Sequence, residues 1–197
     1  LLSRDYHEMA VEDCFKEPVP KAYVYETHRF VVVRPRDADR EIDTEFLCVF
    51  VTEDLLVTVR HSAMPAVKNF ARRFGSRKIQ RRVDLGAEYL LYEMLDAIAD
   101  DWYRILGGYS ERIDELEDRV FDPNVRHPDL LQELHELKQD LREISKSVTP
   151  LHDVVSRMMR PDQDYITESC MMYWQDIFDV LDKLKNDVES YNAGAAS

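Results

Sequence analysis

The fold is decided by the segment at residues 89–106, which reads YLLYEMLDAIADDWYRIL. Its apolar residues recur every three or four positions, which is the period of a helix with one face buried on a neighbour. This row comprises Leu91, Leu95, Ile98, Trp102, Ile105, Tyr109, Ile113, Leu116 and Val120. It predicts one long helix over about 84–121, which Gly107 and Gly108 interrupt and weaken locally.

Two further apolar rows predict helices over about 128–159 and 163–191. The first consists of Leu130, Leu134, Leu137, Leu141, Ile144, Val148, Leu151, Val155 and Met158, and the second of Ile166, Cys170, Tyr173, Ile177, Leu181, Leu184, Val188 and Tyr191. Asp122-Pro123 ends the helix before them, Pro128 suits a first helical turn, and Pro150 is expected to kink the second helix. Three long rows joined by proline-containing turns predict an antiparallel helical array.

The residues before this helical region predict a mixed layer of helices and strands. The predicted elements are a helix at 5–16, a strand at 23–33, two strands at 46–52 and 55–59 joined as a hairpin, and a helix at 64–74 that Gly75 stops. The fold class is therefore α+β, with an N-terminal α/β layer over 1–83 followed by three long helices over 84–197. Because the chain begins at Leu1 in a charged segment, we expect a fragment that starts inside a domain.

Composition excludes several classes of function. The 197 residues include 39 acidic and 26 basic side chains, so a net charge of -13 argues against nucleic acid as the main partner. The basic run Arg72–Arg82 fits a solvated connector that pairs with acids of the long helices. The longest uncharged apolar run, Phe46–Thr52, is far shorter than the ~20 residues of a membrane helix. The three cysteines are far apart in the sequence and predict reduced, partly buried thiols.

The sequence contains no motif of a known enzyme class. It lacks a Walker loop, a dinucleotide-binding glycine pattern and a nucleophile elbow, and its six histidines are scattered without metal-ligand spacing. We therefore predict that the protein is not an enzyme.

Carboxylates are the residue class that could carry chemistry. Three places have acids beside a predicted apolar face: Glu12 and Asp13; Asp96 with Glu93 and Asp100; and Asp176 with Asp179 and Asp182. Acids that border buried rows repel one another unless a cation or a basic side chain lies among them. Hard oxygen ligands suit magnesium or calcium. A solvated helix face remains the alternative interpretation for each of these acids.

Several segments together resemble the CorA family of divalent-cation transport proteins. Residues 7–13, followed by Pro20-Lys21 and the strand at 23–33, are similar to the family's His-Pro-Leu-x-x-Glu-Asp and Arg-Pro-Lys element. Residues 89–101 look like the start of its first long helix, and residues 113–117 match the acidic continuation of that helix. The resemblance covers nearly the whole chain in the right order.

This resemblance implies the cytoplasmic, cation-sensing domain of a magnesium or cobalt transporter. In the family such a domain carries two long helices and a stalk helix that continues into the membrane, and the whole protein is a pentamer on the inner membrane. Divalent ions such as Mg²⁺ or Co²⁺ lie between neighbouring cytoplasmic domains and favour the closed pore. The matching ligand positions are Glu12, Asp13, Asp96 and Asp176.

The sequence also departs from the family pattern. Glu8 stands where the family has proline, and Val19 stands where it has arginine before Pro-Lys. The Gly-Met-Asn pore motif and both membrane helices are absent from the 197 residues, so we expect a soluble fragment that does not itself conduct ions. A weaker resemblance extends to ZntB-type zinc exporters, and a soluble helical adaptor is the third hypothesis.

Overall fold

The computed structural model describes residues 6–38, 42–76, 82–121, 129–162 and 165–194. The elements are α1 (Glu8–Asp13), β1 (Lys21–Val24), β2 (Arg29–Val33), β3 (Leu47–Val51), β4 (Leu56–Arg60), α2 (Pro65–Phe74), a 3₁₀ turn (Val83–Leu85), α3 (Gly86–Phe121), α4 (Leu130–Met158) and α5 (Met171–Gly194). The predicted α+β fold is confirmed, and every strand of the described residues precedes the long helices.

The four strands form one antiparallel sheet in the order β1-β2-β3-β4. Because side chains of a strand alternate between its faces, the two central strands cover two separate cores. Val31, Val33, Leu47, Val49 and Val51 belong to the core that contains the long helices. Phe30, Val32, Cys48 and Phe50 belong to a smaller core with Ala10 of α1. The helix α1 and the long helices therefore lie on opposite faces of the sheet.

The three long helices pack as an antiparallel array, as their apolar rows predict. Polar pairs between α3 and α4 run in opposite chain order, since Tyr109 meets Asp140 and Arg119 meets Glu133. Pairs between α3 and α5 run in the same order, so α5 is parallel to α3 and antiparallel to α4. The apolar rows line the main core wherever their side chains are described. No helix among the described residues is both long enough and apolar enough to cross a membrane.

Several element boundaries differ from the predictions. The predicted strand at 23–33 is a hairpin of β1 and β2, because the N–H of Tyr25 donates to the carbonyl of His28 at 2.8 Å and closes a turn. The helix α1 ends at Asp13, three residues earlier than expected. Pro128 and the Asp122-Pro123 stop lie outside the described residues, whereas Pro150 lies inside a continuous α4.

The third long helix also begins later than predicted, at Met171. Residues 165–170 form a turn in which the N–H of Cys170 donates to the carbonyl of Thr167 at 3.1 Å. Thr167 itself is held by the side chain of Glu88, so this segment is attached to α3 before α5 starts. Residues 163 and 164, where the prediction began, lie outside the described part of the chain.

Glycines at two places in α3 have opposite structural roles. Gly86 has a φ of 75°, and a Cβ added there would lie 2.8 Å from the carbonyl oxygen of Glu53. Only glycine fits this close approach without strain. At Gly107 and Gly108 no neighbouring atom of the described residues lies within 4 Å of an added Cβ, and the helix runs through them without interruption.

Replacing either exposed glycine by alanine is expected to stabilise the protein. Gly107→Ala and Gly108→Ala should each raise the free energy of unfolding by about 0.5–1 kcal/mol, because alanine restricts the unfolded chain and favours helix. Chemical denaturation followed by circular dichroism measures this change.

Gly86→Ala is the matched control and should lower the stability, because its Cβ meets the Glu53 backbone. A loss of stability in the Gly107 or Gly108 variants would show that their backbone is not in ordinary helical geometry.

Candidate cation-binding site

Two of the four predicted ligands meet at one tyrosine between α3 and α5. Tyr92 lies one turn before Asp96 on α3, and its hydroxyl donates a hydrogen bond to Oδ2 of Asp176 at 3.3 Å. Burial raises the pKa of Tyr92, and the charges of Asp96 and Asp176 raise it further. The Tyr92 hydroxyl therefore stays protonated at neutral pH and donates its hydrogen bond to Asp176.

Asp96 already has a cationic partner from α2. Nη1 of Arg73 lies 2.8 Å from Oδ2 of Asp96, and the same guanidinium also bonds to Asp100. Burial raises the pKa of Asp96, and the nearby Asp100 raises it further, while Arg73 lowers it. Since the pKa of Asp96 is raised on balance, its ionised form is less favourable here than in water, despite the pairing with Arg73. A second cation at this carboxylate would relieve that cost.

The other two predicted ligands lie on α1. Oδ2 of Asp13 is 2.5 Å from Nζ of Lys21, at the start of β1, and both side chains are mostly buried. Oε2 of Glu12 is 2.8 Å from Nζ of Lys16 in an exposed pair four residues apart. Because solvent screens such exposed pairs, Lys16 holds Glu12 only weakly.

The four acids do not converge within one chain. Asp13 lies with α1 on one face of the sheet, whereas Asp96 and Asp176 belong to helices that pack on the opposite face. Among the described residues no three or more histidine, cysteine or acidic side chains are grouped so that they could hold a metal ion. The predicted ligand set therefore consists of a pair at Tyr92 and a separate pair on α1.

Three buried acids have structural partners instead. The carboxylate of Glu88 accepts from the N–H of Thr167 at 3.0 Å, from the indole of Trp174 at 3.2 Å and from Arg29 at 3.3 Å. Asp101 pairs with two arginines, one of them in the loop after β2. Glu93, which the sequence grouped with Asp96, is buried and accepts from the Tyr89 hydroxyl.

An open cleft of about 460 Å³ lies beside Glu88 at one end of the sheet. Its lining includes Arg29, Glu53, Gly86 and Thr167. Because the buried carboxylate at its base is already bonded to three donors, the cleft is part of the joint between the sheet and the helices. Although Glu53 and Asp84 also line it, the acidic side chains among the described residues are not grouped there so that they could hold a metal ion.

The sequence identified the acids but not their partners. In the sequence, Lys21 stands out only as part of the Pro-Lys element and Arg73 only as part of the basic run. The expectation that this run pairs with acids of the long helices is confirmed for Arg73. The sequence could have indicated the contact of Tyr92 with this site, because Tyr92 lies four residues before Asp96 and therefore on the same face of the helix.

The chain is similar to known proteins both in sequence and in fold. The family model described as CorA-like Mg²⁺ transporter protein matches residues 2–197. The cobalt/magnesium transport protein CorA of Thermotoga maritima is 26% identical over 190 residues, which cover 94% of this chain and 53% of that protein. The chain spans about half the length of the curated relatives it matches.

Two solved structures have a similar fold at low sequence identity. The soluble domain of CorA from Methanocaldococcus jannaschii superposes with a TM-score of 0.77 at 18% identity, over 92% of this chain and 72% of that one. The ZntB cytoplasmic domain from Vibrio parahaemolyticus superposes with a TM-score of 0.79 at 12% identity, over 97% of this chain and 75% of that one.

Replacing Asp96 by asparagine is expected to stabilise the metal-free protein at neutral pH. Because the pKa of Asp96 is raised on folding, the folded state holds this proton more tightly than the unfolded chain does. Stability is therefore lost as the pH rises above the unfolded-state value of about 3.9. Asparagine resembles the protonated form, so thermal melts in chelator should show a higher midpoint for Asp96→Asn at pH 7 and a shrinking difference toward pH 4.

Asp114→Asn, at an exposed position of the same helix, controls for the general effect of removing one negative charge. An Asp96→Asn variant that is less stable than the wild type at pH 7 would mean that the Arg73 pair outweighs burial.

Proposed function

Since this chain belongs to the CorA-like Mg²⁺ transporter family, we propose that it forms the cytoplasmic, cation-sensing domain of a magnesium or cobalt transporter. The membrane helices would belong to the longer protein, which would assemble as a pentamer in the inner membrane. Divalent cations would act on this domain as regulatory ligands.

One observation carries the proposal: the two groups of predicted ligands lie on opposite sides of the domain. Within one chain the sheet lies between α1, which carries Asp13, and the helices that carry Asp96 and Asp176. The carboxylates of Asp13 and Asp176 can meet when they come from neighbouring subunits around a ring. Asp176 is exposed and Asp13 is partly exposed, so both can be reached by a neighbour.

The donor chemistry supports magnesium or cobalt as the ligand. Asp13 and Asp176 offer hard carboxylate oxygens, and Tyr92 fixes one oxygen of Asp176 while the other remains available for a cation or its water. Magnesium retains several of its waters and is commonly bound through one or two carboxylates. A site of this kind is weak and suits an ion that is sensed at high concentration.

Regulation would follow as a population shift. A cation that bridges Asp13 of one subunit and Asp176 of the next binds only the arrangement in which both lie at the interface. It stabilises that arrangement by its binding free energy, and its loss releases the subunits. The linkage requires no change within a single domain.

Basic side chains of the same chain would set the magnesium concentration at which this response begins. Lys21 already neutralises Asp13, and Arg73 already neutralises Asp96. A divalent ion must therefore compete with a basic side chain at each position. We infer that these pairs keep the carboxylates from binding cations at low concentration.

A ZntB-type zinc transporter domain is the second candidate. The specific observation in its favour is the superposition on the ZntB cytoplasmic domain, which is as good as that on the soluble CorA domain. The two candidates differ in ligand preference, because a zinc-responsive domain should respond to micromolar zinc in preference to millimolar magnesium. The soluble-adaptor hypothesis loses its basis, because the family match extends over residues 2–197.

Loss of either bridging carboxylate is expected to remove the magnesium response. Asp13→Ala and Asp176→Ala should abolish the rise in melting temperature, and the increase in sedimentation coefficient, that millimolar magnesium produces in the wild type. Binding stabilises whichever state holds the ion, so a variant without the ligand gains nothing. Thermal melts and analytical ultracentrifugation with and without magnesium measure both quantities.

Asp182→Ala, an exposed acid on the same helix as Asp176, should keep the full response. Equal magnesium shifts in the wild type and in both bridging variants would rule the site out and leave these acids as solvated surface.

Removing the internal cation at Asp96 is expected to sensitise the domain. Arg73→Ala should lower the magnesium concentration at half response by up to about fivefold, since a partly exposed ion pair is worth about 0–1 kcal/mol. A magnesium titration followed by the melting temperature measures the shift.

Arg72→Ala is the matched control, because that neighbouring arginine bonds to Asn69 on its own helix. An unchanged half-response concentration in Arg73→Ala would show that Asp96 takes no part in binding.

A further inference from the structure

The fold brings together two cysteines that are far apart in the sequence. Cys14 follows the last residue of α1, and Cys48 is the second residue of β3. Their exposed fractions are 5% and 3%, and both belong to the small core between α1 and the sheet. Cys170 is the third free thiol and lies in the main core on the other side of the sheet.

The side chains of Cys14 and Cys48 are brought together in this small core of six buried residues, close enough for the two thiols to interact. The Cys14 thiol also donates to the carbonyl oxygen of Ala10 at 3.4 Å. A disulfide between them requires the two sulfur atoms to approach to about 2.05 Å, which residues that share one small core can reach by a local adjustment. The sequence offered no sign of this pair, because the two residues belong to different elements.

The helix α1, which covers this pair of cysteines, has few buried side chains. Ala10 is the only residue of α1 that is buried, while Met9 and Phe15 on either side are largely exposed. A helix with so few buried contacts detaches locally at low cost, which admits small reagents without unfolding the sheet. The far end of α1 is held by two polar contacts, the Asp13–Lys21 ion pair and His61, whose Nε2 lies 2.8 Å from the carbonyl oxygen of Cys14.

We propose that Cys14 and Cys48 form a dithiol modification site that a low-molecular-weight disulfide converts into an intrachain disulfide. Nothing in the proposed cation response requires this site, so the two can fail independently. The consequence would be local: the end of α1, one residue after Asp13, would become covalently attached to β3.

The reaction is a balanced thiol–disulfide exchange. The Cys14 sulfur attacks the reagent RS–SR, forms a mixed disulfide and releases one RSH, which carries the proton of Cys14. The Cys48 sulfur then attacks the Cys14 sulfur, and the second RSH leaves with the proton of Cys48. The two protein thiols are oxidised by two electrons, and the reagent disulfide is reduced to two thiols.

The test treats the folded chain with oxidised glutathione, blocks the remaining thiols with iodoacetamide and maps the peptides by mass spectrometry. The wild type and a Cys170→Ser variant should both yield a linked Cys14–Cys48 peptide that lacks two hydrogen atoms and that dithiothreitol separates. Cys14→Ser and Cys48→Ser should yield no intrachain link, only a glutathione adduct or an alkylated thiol at the remaining position.

The wild-type and Cys170→Ser results decide the proposal even if the other variants fold poorly. Alkylation of all three cysteines in the treated, folded wild type would overturn it. So would a Cys14–Cys48 link that forms only in urea, or links that join only separate chains, because either outcome means that the native contact does not direct the reaction.

Discussion

The architecture depends on the buried carboxylate of Glu88. It lies in the first turn of α3 and bonds to Arg29 of the sheet, to the backbone that precedes α5 and to the indole of Trp174 within α5. One side chain thus connects the α/β layer to two of the three long helices. Because removing one partner of a buried charge costs about 3–5 kcal/mol, this joint fixes how the helices sit on the sheet.

The Glu88 joint also determines where the candidate ligand acids lie. The helices α3 and α5 run parallel from the Glu88 joint, which brings Asp96 and Asp176 to the same tyrosine. The helix α1 packs across the sheet and so keeps Asp13 apart from them. The chain carries a net charge of -13, yet the candidate acids are balanced locally by Arg73 and Lys21. Local pairing rather than overall charge therefore determines which carboxylates can accept a cation.

The sequence predicted the parts of the fold that follow a period. The apolar rows of the long helices and the hairpin of β3 and β4 are regular patterns, and the structure has them. The start of α5 was predicted too early, because Ile166 and Cys170 continue the helical row although Thr167 is captured by Glu88. The hairpin turn near His28 is not predicted by the sequence. The segment has no glycine or proline to mark a turn, and its β-branched run Val31–Val33 favours one continuous strand.

The candidate acids could be named from the sequence, but their surroundings could not. The pairing of Arg73 with Asp96 and the contact of Cys14 with Cys48 join residues in different elements, and no local pattern encodes such contacts. The site assignment itself remains a prediction, since a single chain contains only part of the ligand set that the family resemblance implies.

The length of α3 has a mechanical consequence. At about 1.5 Å per residue, its 36 residues form a rod of about 54 Å that is anchored near one end by Glu88. A tilt of about 5° at that anchor displaces the opposite tip by about 5 Å, roughly one helical turn of about 5.4 Å. Because Tyr109 and Arg119 pair with α4, such a tilt would carry α3 and α4 together. A small rotation of the helical array on the sheet would then become a movement of about one helical turn at the far end.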